Sequence, residues 1–157
     1  MRRFLRFFLV LLLLTFIVIQ FFQTEKNNEQ VSSKHIFKQE EVPENIRQIL
    51  TAACLDCHSN QTNYLWYNKI APVSWIIDKH IQHGKSELNF SEWETMDIFE
   101  KITMLEEVCQ ETERKTMPLK SYSTLHPKAK LSDEQIAALC AWTTKLSEEL
   151  LANAAGK

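Results

Sequence analysis

Read as apolar against polar positions, the chain divides into a continuous apolar run, a polar stretch, and a longer part with apolar residues at helical spacing. The run covers residues 7–22 and is broken only by Thr15 and Gln20. Residues 23–42 are polar and charged, with Asn27-Asn28 and Ser32-Ser33 and no sustained period, a composition that reads as a tether with His35 solvated on it. From residue 43 onward the period is helical. Ile46, Ile49, Leu50 and Ala53 mark one face of a helix whose first turn suits Pro43. Val73, Ile76, Ile77 and Ile81 predict a second helix over 72–83, with Gly84 as its C-terminal cap. Ser91 followed by Glu94 has the capping-box pattern and opens a third, carrying Met96, Phe99, Ile102, Leu105 and Cys109 on one face. Glu106, Glu107, Glu111 and Glu113 fall on its solvated side. Met117-Pro118 closes that region, because proline disfavours helix at the residue before it. Residues 119–130 read as a loop. Ser132 with Gln135 then opens a terminal helix striped by Ile136, Leu139, Cys140, Thr143, Leu146 and Leu150. No alternating strand pattern occurs. The expected fold is all-α: an N-terminal helix over 1–22, a linker over 23–42, and one small helical domain over 43–157.

Composition narrows the picture only modestly. A net charge of -2 in 157 residues implies no nucleic-acid partner. Two glycines argue against phosphate-cradling loops and turn-dense β folds. The basic start, with Arg2, Arg3 and Arg6 before the apolar run, offers either a cleaved signal or a retained anchor. No small-residue cleavage site follows, since the run ends in Ile19-Gln20-Phe21-Phe22-Gln23. Residues 4–22 approach the roughly 20 residues that span a bilayer. A single-pass anchor in the cytoplasmic membrane is therefore expected, with the arginines inside and the domain on the periplasmic side.

The chemistry concentrates in Cys54-Leu55-Asp56-Cys57-His58. Two thiols three residues apart on one turn can reach both vinyl groups along one porphyrin edge, and the following histidine lies where it can ligate the iron. Cys-x-x-Cys-His is the attachment signature of a c-type haem. A structural zinc site would want a second pair of ligands at regular spacing, and a thioredoxin-like dithiol would want a surrounding βαβ pattern. Neither is present. One covalent haem, held through Cys54 and Cys57 with His58 as proximal ligand, is the expected cofactor. Tyr64, Trp66 and Tyr67 form a dense aromatic cluster soon after, readable as packing against the haem edge or as a hydrophobic plug.

The order helix, Cys-x-x-Cys-His, aromatic loop, helices, Met-Pro and terminal helix resembles class I cytochromes c. Closer still, the sequence resembles a bacterial haem-binding domain family over about residues 43–150. The residues that carry the likeness are Cys54 to Ser59, Tyr64 to Tyr67, Ala71 to Trp75, Met117-Pro118, Tyr122 and His126-Pro127. The resemblance implies Met117 as sixth ligand, with His126 as the alternative; His80 and His83 read as surface helix residues. It also implies the Pro72 carbonyl as acceptor for the second ring nitrogen of His58. The expected function is mono-haem electron transfer between redox protein partners, a carrier rather than a catalyst. The alternative is a haem-based gas sensor or haem enzyme with an open sixth position and Tyr122 or His126 as distal group. Cys109 and Cys140 each lie on the apolar face of a helix. They are either two small core residues or a disulfide, which an oxidising compartment would favour.

Overall fold

The computed structural model describes residues 1–156. Its helices are α1 (Arg2–Ile19), α2 (Ile36–Gln39), α3 (Glu44–Ala53), α4 (Leu55–His58), α5 (Val73–Glu87), α6 (Ile98–Glu113), α7 (Lys120–Leu125) and α8 (Asp133–Ala155). Short 3-10 turns occupy Trp66–Lys69, Phe90–Thr95 and Pro127–Ala129. Among the described residues there is no strand, only an isolated bridge between Asn28 and Gln61. The all-α expectation holds.

The core forms where the helical stripes meet. Ile46, Ile49 and Leu50 of α3, Leu105 of α6, and Leu139, Trp142 and Leu146 of α8 close around Phe90 and Trp93 from the turn between α5 and α6. Helices α6 and α8 pack along each other and are joined by a disulfide between Cys109 and Cys140, whose Cα atoms lie 4.8 Å apart. The disulfide alternative is therefore the one realised. The capping box of α8 forms between Ser132 and Gln135 as its sequence implies.

Several boundaries differ from expectation. The box that opens α6 is Asp97 with Glu100, not Ser91 with Glu94. Asp97 accepts from both Phe99 N and Glu100 N, while Ser91 is buried in a 3-10 turn. The start of α6 thereby shifts, and Phe99 faces solvent at 73% exposure while Met104 and Val108 join the packed face. Gly84 is not a cap, because α5 continues to Glu87. Residues 119–130 are not a plain loop but contain α7 and a 3-10 turn.

The polar stretch is not a tether. Asn27 is 8% exposed and bonded on every side: its Nδ2 donates to Ser59 O and Thr62 Oγ1, and its N donates to Tyr64 Oη. Lys85 Nζ donates to Asn27 Oδ1 at 2.9 Å. Ile36 is fully buried, and Trp93 Nε1 donates to Glu40 Oε1 at 2.8 Å. His35, expected in solvent, is 5% exposed and caps α2 by accepting from Phe37 N. Residues 23–42 wrap the helical domain and complete its core.

Helix α1 stands apart, with none of its residues buried. Among the described residues, no helix is long and apolar enough to cross a membrane. The helix ends at Ile19, short of Phe21 and Phe22. Its arginines leave only residues 7–19 as a mainly apolar length, about 20 Å at the usual helical rise. A hydrocarbon core is about 30 Å thick, so the membrane-spanning expectation from the longer run is not met.

Candidate functional site

The five-residue motif sits at a junction. Helix α3 delivers the chain into Cys54, which ends α3 and begins the single turn α4, so that Cys54, Cys57 and His58 share one turn. Cys57 N and His58 N both donate to Cys54 O, which fixes that turn. Helix α5 lies across it. A Cβ built on Gly84 would stand 2.7 Å from Cys57 O, so only glycine lets α5 approach this closely. The glycine expected to end α5 instead seats it on the motif.

His58 Nδ1 lies 3.0 Å from Leu88 O. A carbonyl can only accept, so Nδ1 carries the proton and Nε2 keeps its lone pair. The Pro72 carbonyl does not take this role. It receives Trp75 N and Ile76 N as the start of α5. Burial lowers the His58 pKa, opposed by its bonds to the Leu88 and Gly84 backbone, and the ring is held neutral, the form that ligates metals. Burial likewise raises the thiol of Cys54 to about 12, with Cys57 adding to the effect, and that of Cys57 to about 11, with the Asp56 charge adding. Thiol–disulfide exchangers need the opposite shift.

Cys54, Cys57 and His58 open onto a cavity of about 700 Å³, cofactor-sized by general standards. Across it stand Met117, Pro118, Leu119 and Tyr122, with Met104, Val108 and Thr112 of α6 forming another wall. Met117 arrives there because, just past the end of α6, Lys115 takes the left-handed conformation, φ 58°, a common way to terminate a helix. Thr116 N and Met117 N then both return to Glu111 O, folding the chain back over the cavity. His80 and His83, expected on a helix surface, lie at its margin.

The structure does not bring the aromatic cluster to this cavity. Tyr64 binds Asn27, Trp66 is 74% exposed, and neither Tyr67 nor Pro72 lines the walls. His126 is also outside. Its Nδ1 lies 3.0 Å from Tyr122 O, which makes it the donor there, so Nε2 accepts from Tyr67 Oη at 3.1 Å. Both ring nitrogens are thus engaged within the protein.

What Tyr67, Tyr122 and His126 build together is a clamp. The Tyr122 and His126 rings stack at 3.9 Å, and Tyr122 Oη donates to Asp56 Oδ2 at 2.7 Å. Asp56 lies between the two motif cysteines, so the clamp ties the segment after Met117 to the attachment turn. Burial and the bond to Asp56 hold the Tyr122 phenol well above its ordinary pKa. Asp56, Leu88 and Gly84 were not distinguishable as site residues from sequence. The two that act through backbone leave no side-chain signal, and Asp56 occupies a variable position within its motif. The remaining cysteine grouping, Cys109 and Cys140 near Glu113, offers no thiolate because the two sulfurs are joined.

No curated protein and no solved structure matches the chain. The family model described as a haem-binding domain matches residues 14–145, which include the motif, the cavity walls and the clamp. A cavity walled by two free thiols, a neutral imidazole and a thioether agrees with that match, and the chain belongs to the haem-binding domain family.

Proposed function

We propose that the protein carries one c-type haem, bound through thioethers from Cys54 and Cys57, and transfers electrons as a membrane-attached protein on the extracytoplasmic side. The observation that carries this reading is the sharing of one cavity by both thiols, His58 and Met117. The donor set suits the group: each thiol would add S–H across a vinyl double bond, with sulfur on one carbon and hydrogen on the other, and no leaving group. His58 presents Nε2 while Leu88 holds Nδ1 and fixes the ring's tautomer, an outer contact typical of metal-binding histidines. Met117 is the proposed sixth ligand, and a thioether there raises the reduction potential relative to a second histidine. Haem would supply a reversible one-electron iron couple, held there by Cys54, Cys57, His58 and Met117. The membrane reading is supported by the apolar surface of α1, none of whose residues is buried, and the extracytoplasmic one by the Cys109–Cys140 disulfide. The sensor or enzyme reading has less support, since the Tyr122 hydroxyl is spent on Asp56 and His126 lies outside the cavity.

The test is haem retention on a denaturing gel together with the ferric optical spectrum. Haem that survives denaturation, and is lost in Cys54→Ser and Cys57→Ser, is the expected result. Haem that dissociates would overturn covalent attachment. A low-spin spectrum with the weak long-wavelength band of methionine ligation, absent in Met117→Ala, is expected for the sixth ligand. A high-spin spectrum would instead support the open-site reading.

A further inference from the structure

We infer that the end of the domain that receives α1 is a lipid-binding surface, on which Trp66, Val73, Trp75 and Ile76 rest against the bilayer. The inference rests on the reading of α1 as the membrane attachment. It begins with how α1 is joined to the domain. The Gln20 side chain bonds Ala71 in both directions, Nε2 donating to Ala71 O and Oε1 accepting from Ala71 N, each at 3.0 Å. Trp75 Nε1 donates to Phe22 O at 2.6 Å. The end of α1 is thereby fixed to the start of α5, and whatever surface receives α1 also meets the residues around that start.

Those residues are unusual for a water-facing surface. Trp66, Val73, Trp75 and Ile76 are all exposed, as are Phe21 and Phe22 at the junction. Tryptophan is favoured at the depth of lipid headgroups, where its ring is buried and its N–H is satisfied. The indole of Trp75 is already satisfied by Phe22. Lys69 and Lys79 are exposed in the same 3-10 turn as Trp66 and one turn beyond Ile76, with Asp78 half-buried beside them. Such flanking cations complement anionic headgroups. The patch also answers the shortness of α1. An apolar length of about 20 Å leaves the hydrocarbon core poorly matched, and an apolar platform at the helix's end adds contact area where the helix runs out.

The experiment uses the full-length haem-loaded protein in vesicles of phosphatidylcholine and phosphatidylglycerol that include a lipid bearing a photoactivatable diazirine, with labelled positions mapped by mass spectrometry. The expected result is labelling of α1 and of residues 66–76, several-fold above that of the core segment 136–146. Labelling confined to α1 would overturn the lipid-facing surface while leaving the anchor in place. No lipid labelling at all would overturn the anchor reading, and this inference with it. Crosslinks between two copies through Lys69, formed by a bifunctional amine reagent in a parallel sample while residues 66–76 escape lipid labelling, would assign the patch to a second copy and equally overturn it.

Discussion

At the scale of single residues, close approach and burial decide more than residue type. Gly84 is the sharpest case. Alanine is ordinarily the better helix former by about 1 kcal/mol. Here its Cβ would meet Cys57 O at 2.7 Å, and overpacking of that kind costs about 1–3 kcal/mol. The clash involves backbone, which cannot swing aside, so Gly84→Ala is expected to lower the urea midpoint and the yield of haem-loaded protein despite its favourable propensity. His35 sets a pH dependence. Burial, and secondarily the Arg47 charge, lowers its pKa in the folded state. The unfolded chain therefore takes up the proton first, near the ordinary pKa of about 6.5, so stability is complete above that pH and lost as the pH falls below it. His35→Asn keeps an acceptor for Phe37 N but does not titrate. The urea midpoint of the wild type should fall more steeply than that of the variant between about pH 7 and about pH 5. The sequence showed the thiols and His58 because their chemistry is in their side chains. The role of Leu88 was not legible, because any residue supplies a carbonyl, and the path of the chain alone decides which one arrives.

At the scale of elements, two ties set where Met117 sits. One is the disulfide between α6 and α8, across a separation of 31 residues. In the chain-entropy picture a loop of that length gives roughly 3–4 kcal/mol. Cys109→Ser with Cys140→Ser should lower unfolding free energy by about that amount in denaturant titration. The other is the clamp of α7 against α4. Tyr122→Phe removes a hydrogen bond to a carboxylate, worth about 1.5–3 kcal/mol, whereas Tyr67→Phe removes a neutral one, worth about 0.5–1.5 kcal/mol. The first should therefore destabilise more, and should weaken the methionine band of the ferric spectrum, while the second leaves that band nearly intact. Equal effects on stability would show that Asp56 does not act as the charged anchor. Helices α3 and α8 were legible because their apolar stripes and caps agree with each other. The start of α6 was not, because Ser91-Glu94 and Asp97-Glu100 carry the same pattern six residues apart, and packing of Trp93 and Phe90 decides between them. The clamp was legible only as the three separate residues Tyr67, Tyr122 and His126, since a hydrogen bond between Tyr67 and His126 across 59 positions of chain leaves no local periodicity.

For the whole molecule, helical class follows from the periodicity, and the misread part is the polar stretch. Its composition matches a solvated linker, but polarity alone cannot distinguish a chain bonded to water from one bonded to protein. Asn27 spends its side chain on Ser59, Thr62 and Lys85, and Trp93 reaches out to Glu40. Unwound, a flexible stretch of twenty residues would let the domain wander on the order of 25 Å from its point of attachment. Wound onto the domain, it provides no slack. Under the proposed membrane attachment and electron-transfer role, the domain could not swing a haem out to collect or deliver an electron; it would travel only with its mooring. Encounters would then become a search in two dimensions, their frequency governed by sideways drift and by whether a partner held its own centre at the same height.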